Sequence, residues 1–165
     1  MTRHMVFTHL GEIQFGVRVA GLLLDGERVL LQGTTHDDTW LLPGGRLEAL
    51  EPTDLALKRE LLEELGVEVH IERLLWVVEN FFHHEGVACH EIGFYYLVEL
   101  PPGSDLRSRG DSFGGVEYVA DRTFDLIFRW FPMAELGNLV LYPLFLRQLL
   151  LPLPTQWERV VIVED

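Results

Sequence analysis

The stretch from Gly45 to Val67 constrains this chain more than any other. Its second half places Glu60, Glu63 and Glu64 at i, i+3 and i+4, so on a helix all three share one face. Like charges at that spacing repel, and folding alone does not ask for them. Leu55, Leu61, Leu62 and Leu65 are expected on the opposite, core-packed face. Ala56 falls one turn before Glu60 and leaves room above it; Arg59 falls one turn before Glu63 and can pair with it. Three carboxylates on one rigid face suit a hard, oxygen-seeking cation such as Mg2+. Ahead of them, Leu42-Pro43-Gly44-Gly45 reads as a turn whose glycines let backbone approach a ligand closely. Pro52 suits the first position of the helix. A merely solvated acidic helix would explain the carboxylates, but not Gly45 and Glu51 at set distances before them.

Those distances carry a resemblance. Gly45, five residues, Glu51, seven residues, Arg59-Glu60, Leu61, one residue, Glu63-Glu64, one residue, Gly66 and Val67 match every fixed place of the Nudix box, the signature of the Nudix hydrolases. With average residue usage, a chance match in a chain this long falls below about one in a million. One family habit is missing: Leu50 stands where a Gly often precedes the first Glu, which stiffens the loop but removes no ligand.

The resemblance implies a Nudix-type α/β/α sandwich with a mixed β-sheet. It implies Mg2+-dependent hydrolysis of the diphosphate linkage of a nucleotide or nucleoside diphosphate derivative, with Mn2+ as a substitute ion. Glu63 and Glu64 are then metal ligands, with the Gly44 carbonyl as another, and Glu60 is a ligand or the general base. Arg59 orients a glutamate, and Glu51 supports the junction of loop and helix. Relatives often use one more acid beyond the box, a few residues before a Trp. Ile127 stands at that place before Trp130, which leaves Asp125, Glu117 and Glu91 as substitutes. If the base lies outside the box, Asp105, Asp111 and Glu117 are the candidates. The subfamily markers do not select a substrate. No Pro occurs between Pro52 and Pro101 to mark an ADP-ribose enzyme, and Phe82 or His83 stands near the place of the dinucleoside polyphosphate tyrosine. No coenzyme A motif is seen around Leu30 to Thr35. The rival reading is a nucleotide-binding sensor or scaffold without catalysis; such domains usually lose box glutamates, and here all remain.

Composition limits the partners. A net charge of −13 over 165 residues argues against a nucleic-acid polymer, whose phosphates need clustered Lys and Arg. A small nucleotide met through bound cations remains the expected partner, and a homodimer is compatible with it. Cys89 is the only cysteine, so no intrachain disulfide forms. With no signal-peptide pattern at Met1 to Val6 and no apolar run long enough for a bilayer, a cytoplasmic location and no membrane contact are expected.

The rest of the chain reads as one α+β domain, residues 1–165, without repeat or linker. Ile13, Phe15, Val17 and Val19 alternate with polar residues or Gly as in a half-buried strand, continued by Leu22 to Leu24. Asp25-Gly26 signals a hairpin returning through Val29 to Gln32. Trp40 to Leu42 lead into the Pro-Gly-Gly turn, and His36 in the preceding loop reads as a surface residue. After the box, alternation from Val67 to Ile71 and the run Leu74 to Phe82 predict a strand, turning at His83 to Gly86 and returning as Val87 to Leu100. Among its aromatics, Phe81, Phe82 and Tyr96 are candidates for stacking on a base. His83, His84 and His90 with Cys89 lack the paired spacing of a structural zinc site. Ser104 to Gly115 is expected to be a mobile loop, Phe124 to Phe131 a strand, Pro132 to Leu136 and Tyr142 to Leu150 short helices, and Trp157 to Val163 a last strand.

Overall fold

The computed structural model describes residues 4–110, 112–119, 122–149 and 152–164. Its frame is set by one long strand that changes neighbours along its length. Strand β1 (Phe7–Leu10) pairs antiparallel with the start of β2 (Ile13–Asp25), which runs through the alternating segment and the apolar run without a break. Gly26, at φ 60, turns the chain into β3 (Arg28–Thr34), as the Asp-Gly pair predicts. β2 and β3 stay paired only at Leu24–Val29 and Asp25–Arg28, and then part. Beyond that point β2 takes the short β5 (Gly44–Arg46) as its antiparallel neighbour, while β3 pairs with β4 (Thr39–Leu41).

The parting makes two blades. On one, β2 lies parallel to β7 (Val87–Glu99), which forms an antiparallel hairpin with β6 (His70–His84). The edge of this blade is β11 (Glu158–Val163), parallel to β6. The other blade joins β8 (Ser112–Val119), β9 (Arg122–Pro132), β3, β4 and the two-residue β10 (Val140–Leu141). Helix α1 (Thr53–Leu65) packs between the blades, touching β2, β5, β6 and β8. Its Ala56, Leu57, Leu61 and Leu65 share a core with Val19 and Leu23 of β2, Leu30 of β3, and Leu126, Phe128 and Trp130 of β9. A second core, on the other face of β2, joins Ala20 and Leu22 to Trp76, Val78, Tyr95 and the segment from Phe131 to Leu149. This is the expected mixed-sheet α+β architecture. The second helical layer consists of two short 3-10 segments, Met133–Asn138 and Leu144–Gln148, in place of the expected helices.

Several local expectations are corrected. Leu55 and Leu62 are about half exposed, so they do not face the core. The buried arc of α1 is Ala56, Leu57, Glu60, Leu61, Glu64 and Leu65. At about 100° per residue these positions are contiguous, and a helix covered from two sides buries a wide arc that takes in two acids. Pro52 is the residue before the first turn, which opens at Thr53. Gly44 and Gly45 form strand, and the chain bends at Leu42-Pro43. Val67 and Val69 are buried but lie outside β6, which begins at His70. The segment expected to be a mobile loop is pinned: Leu106, in the 3-10 turn Asp105–Arg107, is fully buried, and its carbonyl accepts a hydrogen bond from the Trp130 indole at 3.0 Å. From Ser112 that segment is strand β8. Leu106 and Phe113, seven residues apart among polar ones, are too weak a periodic signal to announce such an anchor.

Candidate active site

The site is built where β5 crosses beneath α1. An added Cβ on Gly44 would fall inside the Val19 carbonyl, and one on Gly45 inside the Glu60 carboxylate. Gly44 also has φ 150, open to glycine and rarely to other residues. The two glycines therefore serve close packing of backbone on β2 and of the helix carboxylate on β5. The Gly44 N–H donates to the side-chain oxygen of buried Gln32 at 3.2 Å, which holds this short strand from the other blade.

Arg59 ties the loop to the helix. Its Nε and Nη2 each donate to one oxygen of Glu51 at 2.9 Å, a bidentate pair. Its Nη1 donates to Glu60 at 2.6 Å and stands 3.8 Å from Glu63. The hydrogen bonds it donates to Glu51 hold the guanidinium proton well beyond the ordinary arginine range. Arg59 thus pairs more closely with Glu51 and Glu60 than with the Glu63 that helical spacing suggests. Glu60 is 5 % and Glu64 7 % exposed, whereas Glu63 sits at the rim of the arc with its side chain 30 % exposed. Burial lifts the Glu60 carboxyl above the usual carboxylate range, and the Arg59 hydrogen bond pulls against it. Among the described residues, no three His, Cys, Asp or Glu side chains converge tightly enough to hold a metal ion as they stand, with Glu60 turned to Arg59. The donor set is nevertheless one of hard oxygens packed against a glycine strand, which suits a hard divalent cation.

Leu50 has φ 67 and is fully exposed. The place where the family often carries glycine is here a left-handed backbone position borne by a leucine.

A residue that motif reading missed is Arg18. It lies on β2 opposite Arg46 of β5 and donates through Nη2 to the carbonyls of Leu42 at 3.1 Å and Gly44 at 3.4 Å. It acts electrostatically on both Glu60 and Glu91. The only signal in the sequence was an arginine in the polar phase of an alternating strand. Glu91, on β7, has its carboxyl raised by burial, offset by Arg18 and Arg46.

Other candidates lie apart. Asp105 forms a bidentate pair with Arg109, which also reaches the Leu65 carbonyl, so it stands at the far end of α1. Asp125 is exposed on β9. Asp111 and the side chain of Glu117 lie outside the described residues. Phe81 stacks on His90 at 4.4 Å, and Phe82 pairs across the hairpin with Cys89, so adjacent residues point to opposite faces. The Tyr96 hydroxyl lies 2.6 Å from Thr53 Oγ1 and braces the first turn of α1. The Cys89 thiol reaches Gln14 and the Val87 carbonyl.

A glycine strand thus lies under a helix that buries two glutamates and is clamped by an arginine to a third. The model of the NUDIX domain matches residues 14–150, and the chain belongs to that family. It is 39 % identical over 70 residues to diphosphoinositol polyphosphate phosphohydrolase 3-alpha of Mus musculus, a match covering 40 % of this chain and 43 % of that protein. A MutT-like protein of Streptomyces ambofaciens is 39 % identical over 66 residues, covering 39 % of this chain and 42 % of that one. The matched stretch thus spans about two-fifths of each curated relative. Among solved structures, a MutT protein from Bacillus halodurans superposes with a TM-score of 0.56 at 16 % identity, over 88 % of each chain. An ADP-ribose pyrophosphatase from Streptococcus suis does so with 0.51 at 17 % identity, over 89 % of this chain and 98 % of that one. These likenesses establish the fold. No helix among the described residues is long and apolar enough to cross a membrane.

Proposed function

We propose that this chain is a pyrophosphohydrolase that uses a divalent cation, Mg2+ or Mn2+, to direct water at a phosphorus of the diphosphate in a nucleotide or nucleoside diphosphate derivative. The observation that carries the reading is the buried pair Glu60 and Glu64, held against Gly45 and clamped through Arg59 to Glu51. Burying two carboxylates on a helix costs stability unless something compensates the charge. Arg59 pairs with Glu60. A bound cation would neutralise diphosphate oxygens, orient them and acidify a water.

Glu60, Glu63, Glu64 and the Gly44 carbonyl are the groups that would hold such an ion. The chain's own part in the chemistry is then positional. Arg59 fixes the Glu60 carboxylate and, through Glu51, the approach of the loop to the helix. Arg18 brings a fixed positive charge to the same loop from the opposite face of β2 and meets an anionic substrate there. Glu60 is either a ligand or the base that takes the proton of the attacking water, a task worth about 10^2 to 10^4 in rate. The name of the mouse relative refers to diphosphoinositol polyphosphate, a compound with a diphosphate.

The test is a panel of nucleoside diphosphate derivatives with Mg2+, read for phosphate or monophosphate release and in parallel for binding by thermal shift. Turnover of at least one compound supports the enzyme. Binding without turnover at saturating Mg2+ would instead make the chain a nucleotide sensor.

A further inference from the structure

Arg18 and Arg46 stand directly opposite each other across β2 and β5, a pairing of like charges that costs stability unless an acid offsets it. Arg18 lies two residues before Ala20 on β2, so it shares the face of the second core. On that face register sets Gly93 of β7 beside Arg18, and Glu91 beside Gly16. Glu91 is therefore the diagonal neighbour of Arg18, about 7–8 Å away along the backbone, a gap that two long side chains span. The other diagonal of this square is glycine on both strands, and aromatic rings fill the space. A Cβ on Gly93 would fall inside the Tyr95 ring, and one on Gly16 would press on the Phe7 ring at 3.2 Å. Phe7, opposite Gly16 on β1, also lies under the Arg46 guanidinium at 4.0 Å. Rings thus wall the charged diagonal on both sides, and apolar walls strengthen a charge interaction.

The carbonyls of Leu42 and Gly44 that accept from Arg18 carry no net charge to balance it. Arg18 acts on two acids, Glu60 from the helix side and Glu91 on its own face of the sheet. Both arginines act in turn on Glu91, Arg18 the more strongly. The sheet asks for none of these three charges: the second core reaches Ala20 and Tyr95 on the same face, and apolar residues would extend it. Charges kept at a cost to the fold mark a functional position.

We infer that Glu91 is a positioning residue, whose carboxylate holds the Arg18 guanidinium, against the repulsion of Arg46, where it meets the diphosphate of the substrate. The inference rests on the diphosphate hydrolase reading and adds to its site a residue far from the box helix in sequence. Glu91 touches no substrate and acts through Arg18. One sign separates this role from a background charge. A carboxylate that merely stood near an anion site would repel the anion, so neutralising it would strengthen binding. A carboxylate that holds Arg18 does the reverse: neutralising it frees the guanidinium and weakens binding.

The test is calorimetric binding of methylenediphosphonate, a diphosphate mimic whose P–C–P bridge water does not cleave, to the full chain with Mg2+. Arg18→Ala should weaken binding about ten-fold or more. Glu91→Gln should weaken it about three-fold or more, with the melting temperature unchanged or raised. With Arg18→Ala already in place, Glu91→Gln should weaken it no further. Glu91→Met, neutral and of similar length, decides by the same measure if Glu91→Gln does not fold. Equal or tighter binding in the neutral variants, the same loss with Arg18 absent, or a natural chain that binds no tighter than Arg18→Ala would overturn the inference. Weakening through Arg18 without turnover of any diphosphate derivative would fail the hydrolase reading and leave the positioning role standing.

Discussion

Replacing Arg59 by lysine keeps the charge and removes the fork. Arg59 makes two parallel bonds to Glu51 at 2.9 Å and one to Glu60 at 2.6 Å, with its side chain one-fifth exposed. A lysine ammonium is a single point donor and cannot span both carboxylates with that geometry. The change loses one or two charge-assisted bonds worth about 1.5–3 kcal/mol each, and partial exposure favours the lower end, so about 2–3 kcal/mol of stability should go. Urea unfolding measures it as a lower midpoint at unchanged slope. A double-mutant cycle with Glu51→Gln should return a coupling of about 1–2 kcal/mol. A loss under about 0.5 kcal/mol, the size of an ordinary surface pair, would refute the clamp.

Gly45→Ala should displace the Glu60 carboxylate, because the new methyl occupies its place; turnover should fall at least about 100-fold with KM little changed, and a full-rate variant would contradict the packing. Leu50→Gly should stabilise the fold by about 0.5–1 kcal/mol by relieving the left-handed leucine, and a lower melting temperature would count against that. Glu91 has a folded pKa raised above its unfolded value, so the folded state binds the extra proton and its contribution is present at low pH and lost as pH rises through the folded pKa. The melting temperature of Glu91→Gln relative to the natural chain should therefore climb with pH above the ordinary glutamate range, and a difference independent of pH would refute the burial.

How much was legible in advance follows from where each signal lives. The box residues lie within one short stretch, where helical spacing alone brings Glu60, Glu63 and Glu64 to one side. The hairpins at Gly26 and at Glu85-Gly86 were equally local, because turn residues and period-two alternation are read over a few positions. The burial of Glu60 and Glu64 was not legible, since it depends on β2 and β8 packing on α1 from distant parts of the chain. Leu55 and Leu62 were misplaced for the same reason: a one-sided amphipathic helix was assumed where the fold covers two sides. Arg18 belongs to no motif and reaches the loop at Leu42 and Gly44 only through the pairing of β2 with β5. The two short helices expected after the last long strand are 3-10 segments, each opening directly after a proline, Pro132 and Pro143.

The most direct test of the central claim is turnover of the best nucleotide substrate after exhaustive chelation, followed by Mg2+ titration, for the natural chain and for Glu64→Gln. The account predicts no turnover without metal, full recovery in the natural chain, and recovery in Glu64→Gln only at higher Mg2+. Undiminished turnover after rigorous metal removal would contradict it.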